Sequence, residues 1–114
     1  METQVVIKSI PEFDRRAKRL AKKYPSLKED LMDFVKSLTE NPTQGTFLGK
    51  GGVYKVRMSV TSKGGGKSGG TRILTYVAEE TEPRRYEVTL LSIYDKSEIG
   101  NVSNNYIESL IKEL

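Results

Sequence analysis

The sequence predicts an α+β domain, a helical hairpin packed on a mainly antiparallel four-stranded sheet, in the order β-α-α-β-β-β-α. Three observations predict it. Two consecutive stretches between Phe13 and Leu38 carry apolar residues at helical spacing. Three later stretches, Val53–Val60, Thr71–Glu79 and Arg85–Tyr94, are rich in β-branched and aromatic residues. A short β-branched run, Gln4–Lys8, precedes them all. At 114 residues the chain is expected to form one domain with a single modest core.

Taken in order, Gln4–Lys8 (QVVIK) reads as the first strand. Ser9 followed three residues later by Glu12, with Pro11 between, has the form of a capping box. Phe13, Ala17, Leu20, Ala21 and Tyr24 then give the first helix an apolar stripe. Its other face holds six cations in nine residues, from Arg15 to Lys23. Such a face suits phosphate docking or simply solvent. Pro25 ends this helix, and Ser26 with Glu29 suggests a second capping box. Leu27, Leu31, Phe34, Val35 and Leu38 form the second helix's stripe, which ends near Asn41–Pro42. The loop Pro42–Gly52 is polar and glycine-rich, with Phe47 and Leu48 expected as anchors.

In the next strand Tyr54, Val56, Met58 and Val60 alternate with Lys55, Arg57 and Ser59. A period of two sends the apolar set to one sheet face and Lys55 with Arg57 to the other. A Gly/Ser/Lys tether follows, and Arg72 opens the partner strand beyond it. Three cations on one sheet surface suit a polyanion, and RNA is the natural one. Glu80–Arg84 reads as a turn marked by Pro83. The last strand is apolar at both parities, as expected of a strand buried on both faces. Asn104–Leu114 reads as a short helix with Ile107, Leu110, Ile111 and Leu114 on one side.

Composition narrows the chemistry. There is no Cys and no His, which removes thiolate chemistry, the commonest zinc ligands and the usual base near neutral pH. Neither a metal nor a cofactor is expected. No apolar run approaches the ~20 residues of a membrane span, and METQVVIKS is too polar for a secretory signal. A cytoplasmic protein without membrane contact is the expectation. Residues 1–72 hold 15 Lys and Arg against 7 Asp and Glu, a charge of +8, whereas residues 73–114 hold 4 against 8, a charge of −4. This asymmetry fits either nucleic-acid binding or an uneven surface.

The run G-G-G-K-S invites a phosphate-loop reading. That pattern requires glycine five residues before Gly66, where the chain has Thr61. It also requires a helix after the loop, and Thr71–Tyr76 is strand-like. The tether is therefore read as a hairpin loop, with Lys63 and Lys67 as phosphate contacts.

With these elements placed, the sequence resembles RelE-type toxins of bacterial toxin–antitoxin pairs, and most of all their HigB-like branch. Members of that branch carry a similar G-K-x-G-K-S-G-G-x-R-[VI] segment before a Tyr-containing strand. Here it reads G-G-G-K-S-G-G-T-R-I-L-T-Y, preceded by G-V-Y-K-V-R and followed later by L-L-S-I-Y-D-K-S-E. The resemblance implies a RelE-like fold and a small endoribonuclease that cuts mRNA in the ribosomal A site. It implies three partners: the ribosome with its mRNA, the 16S rRNA around the A site, and a cognate antitoxin. The family's strand cations fall on Lys55 and Arg57, its phosphate-gripping arginine on Arg72, and the basic residue after its last strand on Lys96. Where some members place a tyrosine beyond that point, this chain has Gly100-Asn101-Val102.

Bottom-up, the same residues suit RNA self-cleavage. Arg57 and Arg72 can hold phosphate oxygens bidentately. Lys55 is a candidate acid or base, and Lys96 can serve the leaving group or bind mRNA. Lys50, Lys63, Lys67, Tyr76, Arg15, Arg19 and Lys22 are read as further RNA contacts, Tyr76 by stacking on a base. Tyr54 and Tyr94 read as packing residues. Two rival functions remain open: a ParE-like gyrase poison on the same scaffold, and a nucleic-acid-binding module without activity.

Overall fold

In the computed structural model, which describes residues 3–63, 70–81 and 84–114, one strand and two helices precede four strands and a last helix. Strand β1 (Gln4–Ser9) leads to helices α1 (Pro11–Lys23) and α2 (Leu27–Glu40). Strands β2 (Thr46–Gly49), β3 (Val53–Met58), β4 (Thr71–Thr81) and β5 (Arg84–Asp95) come next, and helix α3 (Asn104–Ile111) is last. The five strands form one mixed sheet in the order β1-β5-β4-β3-β2. Only β1 with β5 is parallel; the other three pairs are antiparallel. The α+β class and the helical hairpin are as expected, but the sheet has five strands rather than four.

The fifth strand, β2, lies in the stretch read as loop. Its four residues are too few to show a period, and it forms because the chain turns sharply back onto β3. Gly49, Lys50 and Gly51 take φ of 81°, 55° and 85° in that turn. Gly45 and Gly52 bracket the hairpin for a steric reason. A Cβ at Gly45 would sit 2.5 Å from the Lys55 carbonyl oxygen, and one at Gly52 would sit 2.6 Å from that of Val77. Glycine is therefore required at both places.

Both helix starts differ from the capping boxes expected. Ile10 is the N-cap of α1 and makes no side-chain cap bond. Pro11 at the first helical position fixes the start instead. Ser9 Oγ donates to Asp14 Oδ1 at 2.7 Å, and Glu12 turns to Arg15 and Arg16. Ser26 is the N-cap of α2, yet its Oγ accepts no helix backbone N–H and instead donates to Asp30 Oδ2 at 2.8 Å. Asp30 also receives Thr61 N at 3.0 Å and Thr61 Oγ1 at 2.8 Å, which pins α2 to the segment after β3. Helix α3 does have a side-chain cap: Ser103 Oγ accepts from Tyr106 N at 3.0 Å.

The sheet carries a core on each face. On one face Phe13, Leu20, Leu27, Phe34 and Leu38 of the helical hairpin meet Val56, Met58, Ile73, Val88 and Ile93. On the other, Ile107 and Leu110 of α3 meet Val53, Leu74, Leu91 and Tyr94. Strand β5 is buried from Val88 to Asp95, matching the expectation of a strand covered on both sides. The β4–β5 register shifts between Leu74, opposite Ser92, and Thr75, opposite Leu90, so Leu91 is an extra residue in β5. The expected anchor Phe47 is instead 60% exposed and rests on the Tyr54 ring, whereas Leu48 is partly buried. Leu114 is also exposed. Pairing of β4 with β5 continues to Thr81 and Arg84, so Glu80, Thr81 and Arg84 of the expected Glu80–Arg84 turn are strand, and residues 82–83 lie outside the described ones. Among the described residues, no helix is long and apolar enough to cross a membrane.

Candidate active site

Strand alternation and register together build the site. Along β3, Val56 and Met58 enter the helix-side core, so Lys55 and Arg57 emerge on the α3 side. Arg57 pairs across the sheet with Arg72, and Arg72 with Tyr94. One row therefore reads Arg57, Arg72, Tyr94 over three strands. The neighbouring row reads Thr46, Lys55, Leu74, Ser92. Setting two guanidiniums directly opposite each other costs stability. A sheet that breaks its own pairing rule at one place marks that place as a candidate site.

These residues bound one cleft of about 220 Å³, lined by Thr46, Lys55, Arg57, Arg72, Tyr94, Lys96, Gly100 and Asn101. All four residues read as catalytic meet here: Lys55, Arg57, Arg72 and Lys96. Among the described residues, no carboxylate lines the cleft. Among the described residues, none of the four cations is in an ion pair, whereas Lys8, Arg15, Arg16, Arg19, Lys50 and Arg85 all are. Asp95, between Tyr94 and Lys96, is held away. It accepts Tyr24 Oη of the helical hairpin at 2.7 Å and both Ser97 N and Oγ, at 3.0 and 2.8 Å. Among the described residues the cleft wall therefore carries cations and no carboxylate, and a concave wall of one sign concentrates anions.

Arg72 is only 4% exposed, and its Nη1 donates to the carbonyls of Gly70 at 3.3 Å and Thr71 at 3.4 Å. Its other guanidinium N–H groups have no acceptor among the described residues. A planar fork with spare donors, fixed by its own backbone, is prepared for a tetrahedral oxyanion. Arg57 and Lys96 are exposed and Lys55 is half-buried. Tyr94 is 2% exposed, and among the described residues its hydroxyl has no hydrogen-bond partner. Burial pushes the Tyr94 phenol up; the Arg72 charge opposes this and Tyr106 adds to it. The cleft is smaller than the ~300–1,000 Å³ of pockets that enclose a drug-sized ligand.

Beside the cleft, a polar lock fastens α3. Tyr106 Oη lies 2.7 Å from Ser92 Oγ and donates to Glu12 Oε2 at 2.9 Å. Glu12 also takes Arg16 Nε at 2.7 Å, and the Arg16 guanidinium stacks 5.5 Å from the Tyr106 ring centre. Strand β1 stops opposite Leu90, so α1 begins beside the unpaired half of β5 and can reach α3 there. The Arg16 hydrogen bond holds the Glu12 carboxyl below its ordinary range; burial opposes this and the Tyr106 bond supports it.

Of the seven residues read as further RNA contacts, the five whose side chains are described do not line the cleft. Lys50 pairs with Glu108 of α3 at 3.2 Å. Tyr76 is partly buried in the α3-side core, where its hydroxyl would lie 3.3 Å from a Cβ at Gly51. Arg15 is paired with Glu12, and Arg19 with Glu98 at 3.7 Å; Lys22 is exposed. The Lys63 side chain and Lys67 lie outside the described residues. Four lining residues escaped sequence reasoning: Tyr94, Thr46, Gly100 and Asn101. The signal for Tyr94 was its registry with Arg72, visible only once strands are paired. No protein-family model matches the chain.

Proposed function

We propose that this protein is a metal-independent endoribonuclease with a RelE-like fold, of the HigB-like kind, that cuts mRNA in the ribosomal A site. The observation that carries this reading is the meeting of Lys55, Arg57, Arg72 and Lys96 in one cleft with no carboxylate among its described lining residues. The 2′-hydroxyl attacks the adjacent phosphorus, and the 5′-oxygen of the next nucleotide leaves. Charge grows on the nonbridging oxygens as this happens. Arg72, fixed and buried, and Arg57 beside it meet that charge where it develops. Lys55 and Lys96 border the same space and supply proton exchange or a further phosphate contact. The ribosome supplies the orientation of the substrate, which a shallow cleft alone does not impose. Exposed cations such as Lys22 are contacts for 16S rRNA. A cognate antitoxin covers the Lys55/Arg57/Arg72 face or displaces α3, and a toxin–antitoxin complex leaving both exposed would refute this.

The test is mRNA cleavage in a purified translation system, with wild type beside Arg57→Ala and Arg72→Ala. Cuts within A-site codons, reduced ~10²–10³-fold in either variant, are expected. Intact mRNA with translation still running would overturn the reading and make gyrase supercoiling the next assay.

A further inference from the structure

Cleavage by the 2′-hydroxyl needs a proton delivered to the departing 5′-oxygen. Arginine cannot deliver one, because it does not deprotonate in proteins. That leaves Lys55, Lys96 and Tyr94 in the cleft wall. Lys96 is exposed and Lys55 half-buried, each on a long flexible stem. Tyr94 differs. Its ring is clamped in the α3-side core among Val53, Leu74, Leu91 and Ile107, it is 2% exposed, and it lines the cleft. Its hydroxyl has no hydrogen-bond partner among the described residues, and the residue lines the cleft, where a substrate atom can meet it. A rigidly packed phenol in the cleft wall, in register with Arg72, is placed to donate to a group bound there.

Resting on the endoribonuclease reading, we propose that Tyr94 is a catalytic residue, the acid that protonates the leaving 5′-oxygen. The bond from the 2′-oxygen to phosphorus forms and the bond from phosphorus to the 5′-oxygen breaks. The 2′-hydroxyl proton passes to water, and the Tyr94 proton passes to the 5′-oxygen. Products are a 2′,3′-cyclic phosphate and a free 5′-hydroxyl, and solvent returns a proton to Tyr94. Burial keeps the phenol protonated before reaction. The Arg72 charge across the strand then steadies the transient phenolate.

The experiment compares wild type and Tyr94→Phe on ribosome-bound mRNA carrying either the ordinary linkage or a bridging 5′-sulfur at the cleaved bond. A thiolate leaves without protonation. Tyr94→Phe is expected to slow the ordinary linkage ~10²–10⁴-fold and to match wild type on the sulfur linkage. Equal slowing on both linkages would mean a structural role and overturn the inference, as would no slowing on either. Arg57→Ala, which loosens the phosphate itself, slows both. Wild type cutting neither mRNA would remove the endoribonuclease reading and this inference with it. Wild type cutting both, with Tyr94→Phe unimpaired, would remove the inference alone. If Tyr94→Phe does not fold, 3-fluorotyrosine at position 94 keeps the ring and makes the hydroxyl more acidic. It is expected to change the rate on the ordinary linkage only, and a change on both or on neither overturns the inference.

Discussion

Arg57 and Arg72 stand opposite each other on neighbouring strands, yet they differ in what the fold asks of them. Arg57 is exposed, so Arg57→Ala removes a like-charge neighbour and little packing. It is expected to leave thermal stability unchanged or slightly raised, by up to about 1 kcal/mol, while cleavage falls. Arg72 is 4% exposed, and Arg72→Ala also leaves a void where its stem was buried. Its melting temperature is expected to drop with its activity. Equal melting temperatures for the two variants would mean the Arg72 stem contributes no packing. Thr75, next to the register shift, gives the opposite case. It is fully buried and its Oγ1 has no hydrogen-bond partner. Thr75→Val keeps the shape and removes an unsatisfied hydroxyl, so a gain of about 1 kcal/mol in urea unfolding is expected; a loss would reveal a partner such as bound water. At this scale the cations were legible and Tyr94 was not. Period-two alternation fixes which side of one strand Lys55 and Arg57 take. Tyr94 joins them only through the pairing of β5 with β4, and the extra residue at Leu91 hides that pairing from any parity count.

Among the elements, α3 depends most on polar contacts. It is eight residues long, and beyond Ile107 and Leu110 it is held by the Tyr106 hydroxyl and the Lys50–Glu108 pair. Helices this short have little stability of their own. Glu12 accepts from both Arg16 and Tyr106, and its carboxyl is held below the ordinary value of 4.5. A depressed acid contributes stability that is present above its unfolded pKa and is lost as pH falls through its folded one. Glu12→Gln is therefore expected to melt below wild type at neutral pH, with the gap closing as the pH drops under about 4.5. A gap independent of pH would mean that the contacts of Glu12, not its charge, matter. The helices and the long strands were legible because 3.6- and 2-residue periods repeat many times in them. Strand β2 has four residues and no period, and the parallel placement of β1 depends on contacts more than 70 positions apart in the chain. The capping boxes failed for a local reason: Ser9 and Ser26 found carboxylates at Asp14 and Asp30 before they found backbone.

Across the whole molecule, the charge split between the two parts of the sequence does not survive folding as a split. Lys8–Glu87, Arg19–Glu98 and Lys50–Glu108 each join the basic part to the acidic part. Among the described residues, other cations such as Lys18 and Lys22 also have no ion pair, but Lys55, Arg57, Arg72 and Lys96 are gathered around one concave space. Net charge and local field therefore separate, and the field gathered at the cleft is the one that bears on cleavage. Cleavage efficiency on ribosome-bound mRNA should then fall as salt rises, because each phosphate neutralised releases counterions. The logarithmic slope should be shallower by roughly 1 when one cleft cation that contacts phosphate is removed. Lys55→Ala and Lys96→Ala are expected to show this, measured as initial rate from low to moderate salt. Lys8→Ala is the control. Its ammonium lies 2.9 Å from Glu87 at the far edge of the sheet, so its slope should equal that of wild type. If Lys8→Ala and Lys55→Ala shift the slope alike, binding follows overall charge and the cleft has no privileged role. If only the cleft variants shift it, RNA contacts the protein where the sheet leaves its cations unpaired.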